Sequence, residues 1–319
     1  MISEKKTAIV FAYHDVGCAC LQVLLKHGVD VKLLVTHTDS ATENIWFGSV
    51  AQIAKDAGIK VITPDDANTP EQLAEFAAIA PDFIFSFYYR NMLKPAVLAT
   101  AKQGAFNMHG SLLPKYRGRV PINWAIIHGE TQTGATLHEM VEKPDAGRLA
   151  GQKAVNIGSN ETAQAVFVNV TKAAAELLAE VLPSLLDGSL VLTTQDLSKG
   201  SYFGGRKAAD GEINWAQSAL QIHNLVRAVA PPYPGASTQI NGVPVIITQT
   251  SLAPPHITHE TPARVNVSSA SVIAMCGDGR MVRLRGARIG ETVLDELALA
   301  QYFGVGVYNL GAIAMPTGG

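Results

Sequence analysis

Short apolar, β-rich runs alternate with helix-patterned segments over the first hundred residues, and this alternation constrains the fold more than any single motif does. Thr7 to Ala12 reads as a strand, and apolar residues at helical spacing run from Cys18 to Lys26 before Gly28 breaks the pattern. Val31 to Thr36 supplies a second buried strand, Val50 to Ala57 a helix closed by Gly58, and Lys60 to Ile62 a third strand. Thr69-Pro70-Glu71 carries helix-start signals: a threonine hydroxyl accepts from an orphan N–H of the first turn, and proline fits the first helical position. Asp82 to Phe87 reads as a fourth strand and Lys94 to Ala101 as the next helix. Strands joined by helices predict an α/β fold with a Rossmann-like, doubly wound, mostly parallel sheet. The site of such a sheet lies at the carboxyl ends of its strands.

Thr162 to Leu186 is rich in Ala, Leu and Val and predicts a long helix ending at Gly188, with Pro183 bending its last turn. Lys199 to Gly211 reads as an exposed hinge, and a helix over about Ala216 to Ala228 leads into Pro231-Pro232-Tyr233-Pro234-Gly235. The character then changes to short strands: Val243 to Gln249, Arg264 to Val267, Ser271 to Met275 and Met281 to Arg285. Short strands between Gly and Pro turns predict a smaller OB-like β-barrel. The expected domains are residues 1–205, carrying the catalytic site, and residues 206–319.

Several functions are disfavoured. The turn after the first strand, Tyr13-His14-Asp15-Val16-Gly17, lacks the G-x-G-x-x-G that brings a backbone up to a dinucleotide, and no P-loop motif is present. The net charge is −2 with no Lys/Arg-rich run, so the electrostatic footprint of a nucleic-acid binder is missing. The apolar run Ala8 to Tyr13 is too short for a signal peptide or a membrane span. Three cysteines, Cys18, Cys20 and Cys276, suggest inert thiols in a reducing cytoplasm, with neither a disulfide framework nor a metal site.

The densest chemistry lies in the segment Asn107-Met108-His109-Gly110-Ser111-Leu112-Leu113-Pro114-Lys115-Tyr116-Arg117-Gly118. On a strand, Asn107 and His109 point to one side, offering an amide donor beside a base that titrates near neutrality. Lys143-Pro144-Asp145-Ala146-Gly147 is a turn that brings one carboxylate to a position where it can orient His109 and raise its pKa. Such a trio suits acyl transfer to nitrogen: Asn107 donates to the oxyanion, His109 takes the proton, and the amine itself is the nucleophile. From spacing alone, Asn-x-His also fits a hydrogen-bonded strand end, and Asp145 a structural turn. Trp124, His128 and His138 sit in apolar surroundings and read as core.

The run Asn-x-His-x-Ser-Leu-Leu-Pro-x-Tyr-Arg-Gly, Asn107 to Gly118, resembles the signature of the folate-dependent formyltransferases, and Asp145 stands where that family's catalytic Asp follows. The resemblance covers nearly the whole chain. It implies 10-formyltetrahydrofolate as donor co-substrate and no metal, with Asn107, His109 and Asp145 catalytic. Tyr88, Tyr89, Arg90, Ser111, Leu112 and Leu113 would meet the folate, and Tyr116, Arg117, Arg206 and Lys207 the acceptor. A planar guanidinium such as that of Arg206 suits a diphosphate. Within the family, Val10 to Asp15, Thr36 to Asp39, Phe85 to Arg90 and Phe203 to Arg206 are similar to the formyltransferase part of a bifunctional polymyxin-resistance enzyme. That enzyme formylates UDP-4-amino-4-deoxy-L-arabinose for lipid A modification, which implies a UDP-amino sugar as acceptor. Its decarboxylating dehydrogenase half has no counterpart before Gly319, so a separate decarboxylase is expected as partner if that step is needed, and a homo-oligomer is the other expected assembly.

Two rival functions are compatible with the same signature. Methionyl-tRNA formyltransferase shares the signature but carries a basic insertion after its second strand, where Thr38 to Asn44 here holds two acids and no Lys or Arg. A folate-binding regulator or 10-formyltetrahydrofolate hydrolase would have lost its acceptor.

Overall fold

In a computed structural model that describes residues 5–40, 44–254 and 263–311, the alternation resolves into a seven-stranded sheet of order β3-β2-β1-β4-β5-β7-β8. Its elements begin with β1 (Thr7–Ala12), α1 (His14–Lys26), β2 (Asp30–Val35), α2 (Val50–Asp56), β3 (Lys60–Ile62), α3 (Pro70–Ile79) and β4 (Phe83–Phe87). They continue with α4 (Pro95–Leu98), β5 (Gly104–His109), β6 (Arg117–Gly118), α5 (Pro121–Ile127), β7 (Gln132–Glu139), β8 (Leu149–Asn156), α6 (Ala163–Asp187) and β9 (Tyr202–Phe203). The first five strands of the sheet are parallel, whereas β7 and β8 run antiparallel to their neighbours.

Burial on both faces explains why β1 and β4 appear in the sequence as nearly continuous apolar runs, whereas β2 is interrupted by the exposed Lys32. Ile9, Phe11, Leu33, Val35 and Ile84 form one side of the core and pack on Phe76 of α3 and Val97 of α4. Phe11 meets Phe76 edge-on, with ring centroids 5.5 Å apart. Thr69 caps α3 as its sequence suggested, its side chain accepting from the Gln72 N–H.

Some bounds differ from expectation for identifiable reasons. α1 starts at His14 rather than Cys18, because its first turn carries His14 and Asp15 and so lies outside the apolar pattern; an acid there suits the positive end of the helix dipole. α4 spans only Pro95–Leu98 of the stretch expected to be helical, closing where the Thr100 hydroxyl bonds back to the Val97 carbonyl. β7 was not foreseen: six successive residues, Thr133 to His138, are buried, so the alternation that marks a half-exposed strand is lost.

The chain forms two compact units. The first comprises the residues through Pro121 with Gln132–Asn156 and Phe167–Gly204, and the second Ile122–Thr131, Ile157–Val166 and the residues from Gly205 onward.

In the second unit, α7 (Ala219–Val229) starts behind a capping box in which the Ser218 side chain meets the Gln221 N–H and Gln221 answers to the Ser218 N–H. The strands are β10 (Ala236–Ile240), β11 (Val243–Leu252), β12 (Arg264–Val267), β13 (Val272–Met275), β14 (Met281–Ile289), β15 (Thr292–Asp295) and, after α8 (Glu296–Phe303), β16 (Gly306–Gly311). Their order β11-β10-β16-β12-β13-β14 closes through a β11–β14 pairing into a six-stranded antiparallel barrel, with β15 added on β14. Closure removes the free edges that would otherwise template pairing with another chain. Among the described residues, no helix is long and apolar enough to cross a membrane.

Candidate active site

Strand β5 sets the site, because its alternation puts Asn107 and His109 on one face at the carboxyl end of the sheet. The antiparallel neighbour β7 lies in register with it, pairing Asn107 with His138 and His109 with Thr136. Asp145 arrives from the β7–β8 connection. Its Oδ1 lies 3.6 Å from His109 Nδ1 and 3.4 Å from His138 Nε2, and its Oδ2 accepts a 2.8 Å hydrogen bond from the Gly118 N–H. The three residues expected from the sequence therefore converge, and His138 joins them. His138 was expected to be simple core; it is buried at 2% exposure, yet its Nε2 also meets Asn107 Nδ2 at 3.2 Å. Its register opposite Asn107 was hidden because β7 itself was not legible.

Close backbone approaches hold the carboxylate in place. Asp145 itself adopts the left-handed conformation at φ 51°. A side chain at Gly147 would put its Cβ 1.9 Å from the Glu139 carbonyl oxygen, so only glycine lets the turn lie against β7. Gln195 clamps the same turn, donating from Nε2 to the carbonyls of Asp145 and Gly147. Gly118, at φ 99°, lets β6 run beside β9, where a Cβ would meet the Phe203 carbonyl at 2.1 Å.

Electrostatics favours a neutral imidazole facing an ionised carboxylate. Burial lowers the His109 pKa below its ordinary value, and although the Asp145 charge and the Tyr116 carbonyl push upward, they do not overcome it. Asp145 thus acts on His109 in the expected upward direction, and burial, which the sequence does not show, decides the net shift. Burial alone would raise the Asp145 carboxyl, but the two imidazoles and the Gly118 N–H hold it well below the usual carboxylate range. His109 Nε2 lies 2.8 Å from the Tyr116 carbonyl, which can only accept, so Nε2 carries a proton and the basic lone pair is on Nδ1, beside Asp145.

The other expected residues divide between the loop scaffold and its rim. Ser111 is fully buried and donates to the Lys115 carbonyl, while the Leu113 N–H donates to Thr136 Oγ1. Leu112 is half-buried, Tyr116 is buried and stacks on Phe203 at 5.4 Å, and the buried Arg117 has an Nε without a partner among the described residues. At the end of β4, Tyr88 takes a left-handed φ of 58°, Tyr89 stacks on His37 at 4.3 Å, and the Arg90 N–H donates to His37 Nε2. The Arg90 guanidinium covers the Tyr13 ring at 4.6 Å, and Arg119 donates to the Arg90 carbonyl. Tyr13 and His37 thus belong to this rim, although their sequence gave only a likeness and no role.

Arg206 and Lys207 belong to the second unit. Burial lowers the Arg206 pKa, Asp210 and Tyr233 opposing the shift, and the backbone N–H of exposed Lys207 donates to Asp210. His128, expected in the core, is exposed and stacks on half-buried Trp124 at 5.8 Å. The cysteines are free, and burial pushes the Cys18 thiol up to about 11 and that of Cys276 up to about 12, which suits inert thiols.

The formyl transferase family model matches residues 10–182 and its carboxyl-terminal domain model residues 206–295. The chain belongs to the formyl transferase family. Among solved structures, it is similar to WlaRD, a sugar 3N-formyl transferase crystallised in the presence of dTDP and 5-N-formyl-THF. The two are 22% identical over 88% of this chain and 96% of that one, with a TM-score of 0.68. An N-formyltransferase from Helicobacter canadensis, in complex with folinic acid and dTDP-3-aminofucose, is also 22% identical. The likeness covers 88% of this chain and 99% of that one, with a TM-score of 0.69. HypX from Aquifex aeolicus is 19% identical over 95% of this chain but only 49% of its own, with a TM-score of 0.63. At these identities the likeness is one of fold.

The glycine at the carboxylate turn provides a direct check. Gly147→Ala forces the turn off β7 and is expected to lower unfolding stability by about 1–3 kcal/mol, the usual cost of overpacking. Urea denaturation measures it; an unchanged midpoint would contradict the close approach described here.

Proposed function

We propose that the chain transfers a formyl group from 10-formyltetrahydrofolate to the primary amine of a nucleotide-linked amino sugar. UDP-4-amino-4-deoxy-L-arabinose is the acceptor that the sequence likeness singles out, and a place in lipid A modification and polymyxin resistance would follow from it. One observation carries the proposal: Asn107, His109 and Asp145 meet at the carboxyl end of a parallel sheet, with the carboxylate 3.6 Å from the imidazole. The compounds present with the solved relatives, 5-N-formyl-THF with dTDP in one and folinic acid with dTDP-3-aminofucose in the other, support the same two-substrate chemistry.

The donor supplies an activated formyl carbon. The acceptor nitrogen attacks it, a new C–N bond forms, and the bond to the folate nitrogen breaks. As negative charge grows on the formyl oxygen, the Asn107 amide donates to it, a type of contact whose loss costs about 3–4 kcal/mol. The attacking nitrogen sheds a proton to His109 Nδ1, where Asp145 Oδ1 offsets the imidazolium charge. The same His109 then returns a proton to the departing folate nitrogen. Protons therefore balance without a covalent enzyme intermediate.

Transfer to tRNA is the weaker reading. The 38–44 loop carries two acids and no base, although residues 41–43 of it lie outside the described residues, and phosphate contacts require positive charge. Tetrahydrofolate release with UDP-4-amino-4-deoxy-L-arabinose, but not with methionyl initiator tRNA, is the expected outcome at fixed salt. Release with tRNA alone would overturn the acceptor assignment, and release with no amine present would favour a hydrolase.

Proton transfer has its own signature. His109 works as a base only when neutral, and burial sets its pKa below the ordinary 6.5, so activity persists as pH falls through 6.5 and is lost further down. A kcat/KM profile whose acid limb is centred at or above neutrality would contradict this assignment.

A further inference from the structure

We infer that Gln195 is a positioning residue for formyl transfer, holding the backbone of the Asp145 turn so that Oδ1 stays beside His109 Nδ1; the inference rests on the proposed function. The donor directions at Gln195 admit one solution. Its Nε2 lies 3.1 Å from the Asp145 carbonyl oxygen and 2.6 Å from that of Gly147. Carbonyls only accept, so the group facing them is the NH2, and an amide turned by 180° would set a third oxygen against the other two. The Oε1 of the same amide is buried without a hydrogen-bond partner among the described residues, so the hydrogen bonding of this side chain goes to the turn.

The turn needs such a hold. Asp145 has a left-handed φ of 51°, which an L residue keeps only where its surroundings impose it. Those surroundings come from one segment. Leu149, at the head of β8, exchanges both backbone hydrogen bonds with Thr193, at 2.7 and 2.9 Å, and two residues further along this antiparallel pairing Gln195 falls beside Gly147. The same segment runs on into β9, whose Tyr202 and Phe203 pair with β6 and so hold Gly118, the N–H donor to Asp145 Oδ2. Residues 193–203 therefore fix Asp145 twice, by its main chain through Gln195 and by its carboxylate through Gly118. One hydrogen bond to Oδ2 fixes a point but not the direction of the carboxylate, and the hold on the backbone supplies the rest.

Losing that hold has a signed consequence at His109. The Asp145 charge raises the proton affinity of the ring, and burial lowers it. A carboxylate that recedes from a ring still buried makes the ring harder to protonate, whereas loosening that only lets water reach the ring makes it easier. The other groups facing His109 are the His138 ring, 6.5 Å away between centroids, and the Tyr116 carbonyl at 2.8 Å, and neither depends on the Gln195 amide.

Two variants separate positioning from packing. Gln195→Leu keeps the bulk and removes the donors, and Gln195→Glu keeps the shape but sets an acceptor against the two carbonyls. With both substrates saturating, each is expected to lower kcat about tenfold or more while the donor Kd stays within about threefold, as a small misplacement of a catalytic group does. In the Leu variant the acid limb of kcat/KM is expected to move to lower pH. If Gln195 acts through Asp145, Leu costs less than about twofold in an Asp145→Asn background, since coupled residues are not additive. Wild-type kcat in both variants, an acid limb that rises or stays in place, or equal losses in both backgrounds would overturn the inference.

Wild-type turnover tests the underlying reaction by itself, and only the comparison among variants tests Gln195. A second measurement needs no turnover: in crystal structures, the separation of Asp145 Oδ1 from His109 Nδ1, 3.6 Å here, is expected to open by about 1 Å in the Leu variant. An unchanged separation would overturn the positioning role whatever the acceptor proves to be.

Discussion

The arrangement depends on keeping an ionised carboxylate next to a buried, neutral imidazole. Burial opposes charge on both groups, so Asp145 stays ionised only because the Gly118 N–H and two imidazoles meet its oxygens. That demand propagates outward. Gly118 can reach Asp145 only while β6 lies against β9, and the Asp145 turn can reach His109 only while Gly147 lies against Glu139. Gln195, more than forty residues further along the chain, ties down the turn. The sheet contributes the remaining condition by ending β5 with Asn107 and His109 on the same face.

A neutral base also fits the chemistry. An imidazole already protonated at working pH could not accept the amine proton, and a charged one would repel an ammonium acceptor. Lowering the pKa by burial while leaving a carboxylate within 4 Å gives a ring that is neutral at rest and has a counter-charge ready once it takes a proton. The left-handed backbone at Asp145 belongs to the same economy of geometry, since it turns the carboxylate back toward the strand from which the chain has just departed.

The parallel half of the first sheet was legible because burial on both faces writes β1 and β4 as nearly continuous apolar runs between helix signals, and β2 keeps its buried Val31 and Leu33 to Val35 around the exposed Lys32. The closed barrel was legible from its turn-separated strands, although β10, β15 and β16 were not: Ser237, Thr238 and Gln239 break β10, and exposed residues break β15 and β16, leaving no apolar run to read. At the site, the Asn-x-His spacing and the Asp turn by themselves also fitted a structural role, and the family resemblance singled out the three converging groups. His138 was read as core because its neighbours are apolar, and only the register of β7 against β5 shows what it faces. Gln195 was invisible for a similar reason: its effect is a pair of backbone clamps fixed by tertiary structure, which no local pattern records. The direction of the His109 shift also escaped the sequence, which shows a nearby acid but not the extent of burial.

The central claim is that His109 handles the proton while the donor is held by other groups. The most direct measurement is donor binding and formyl transfer in the same preparation of His109→Ala. Binding within a few-fold of wild type with transfer slowed by about 10²–10⁴, the range for loss of a general base, is the expected result. Near-normal turnover would contradict the account.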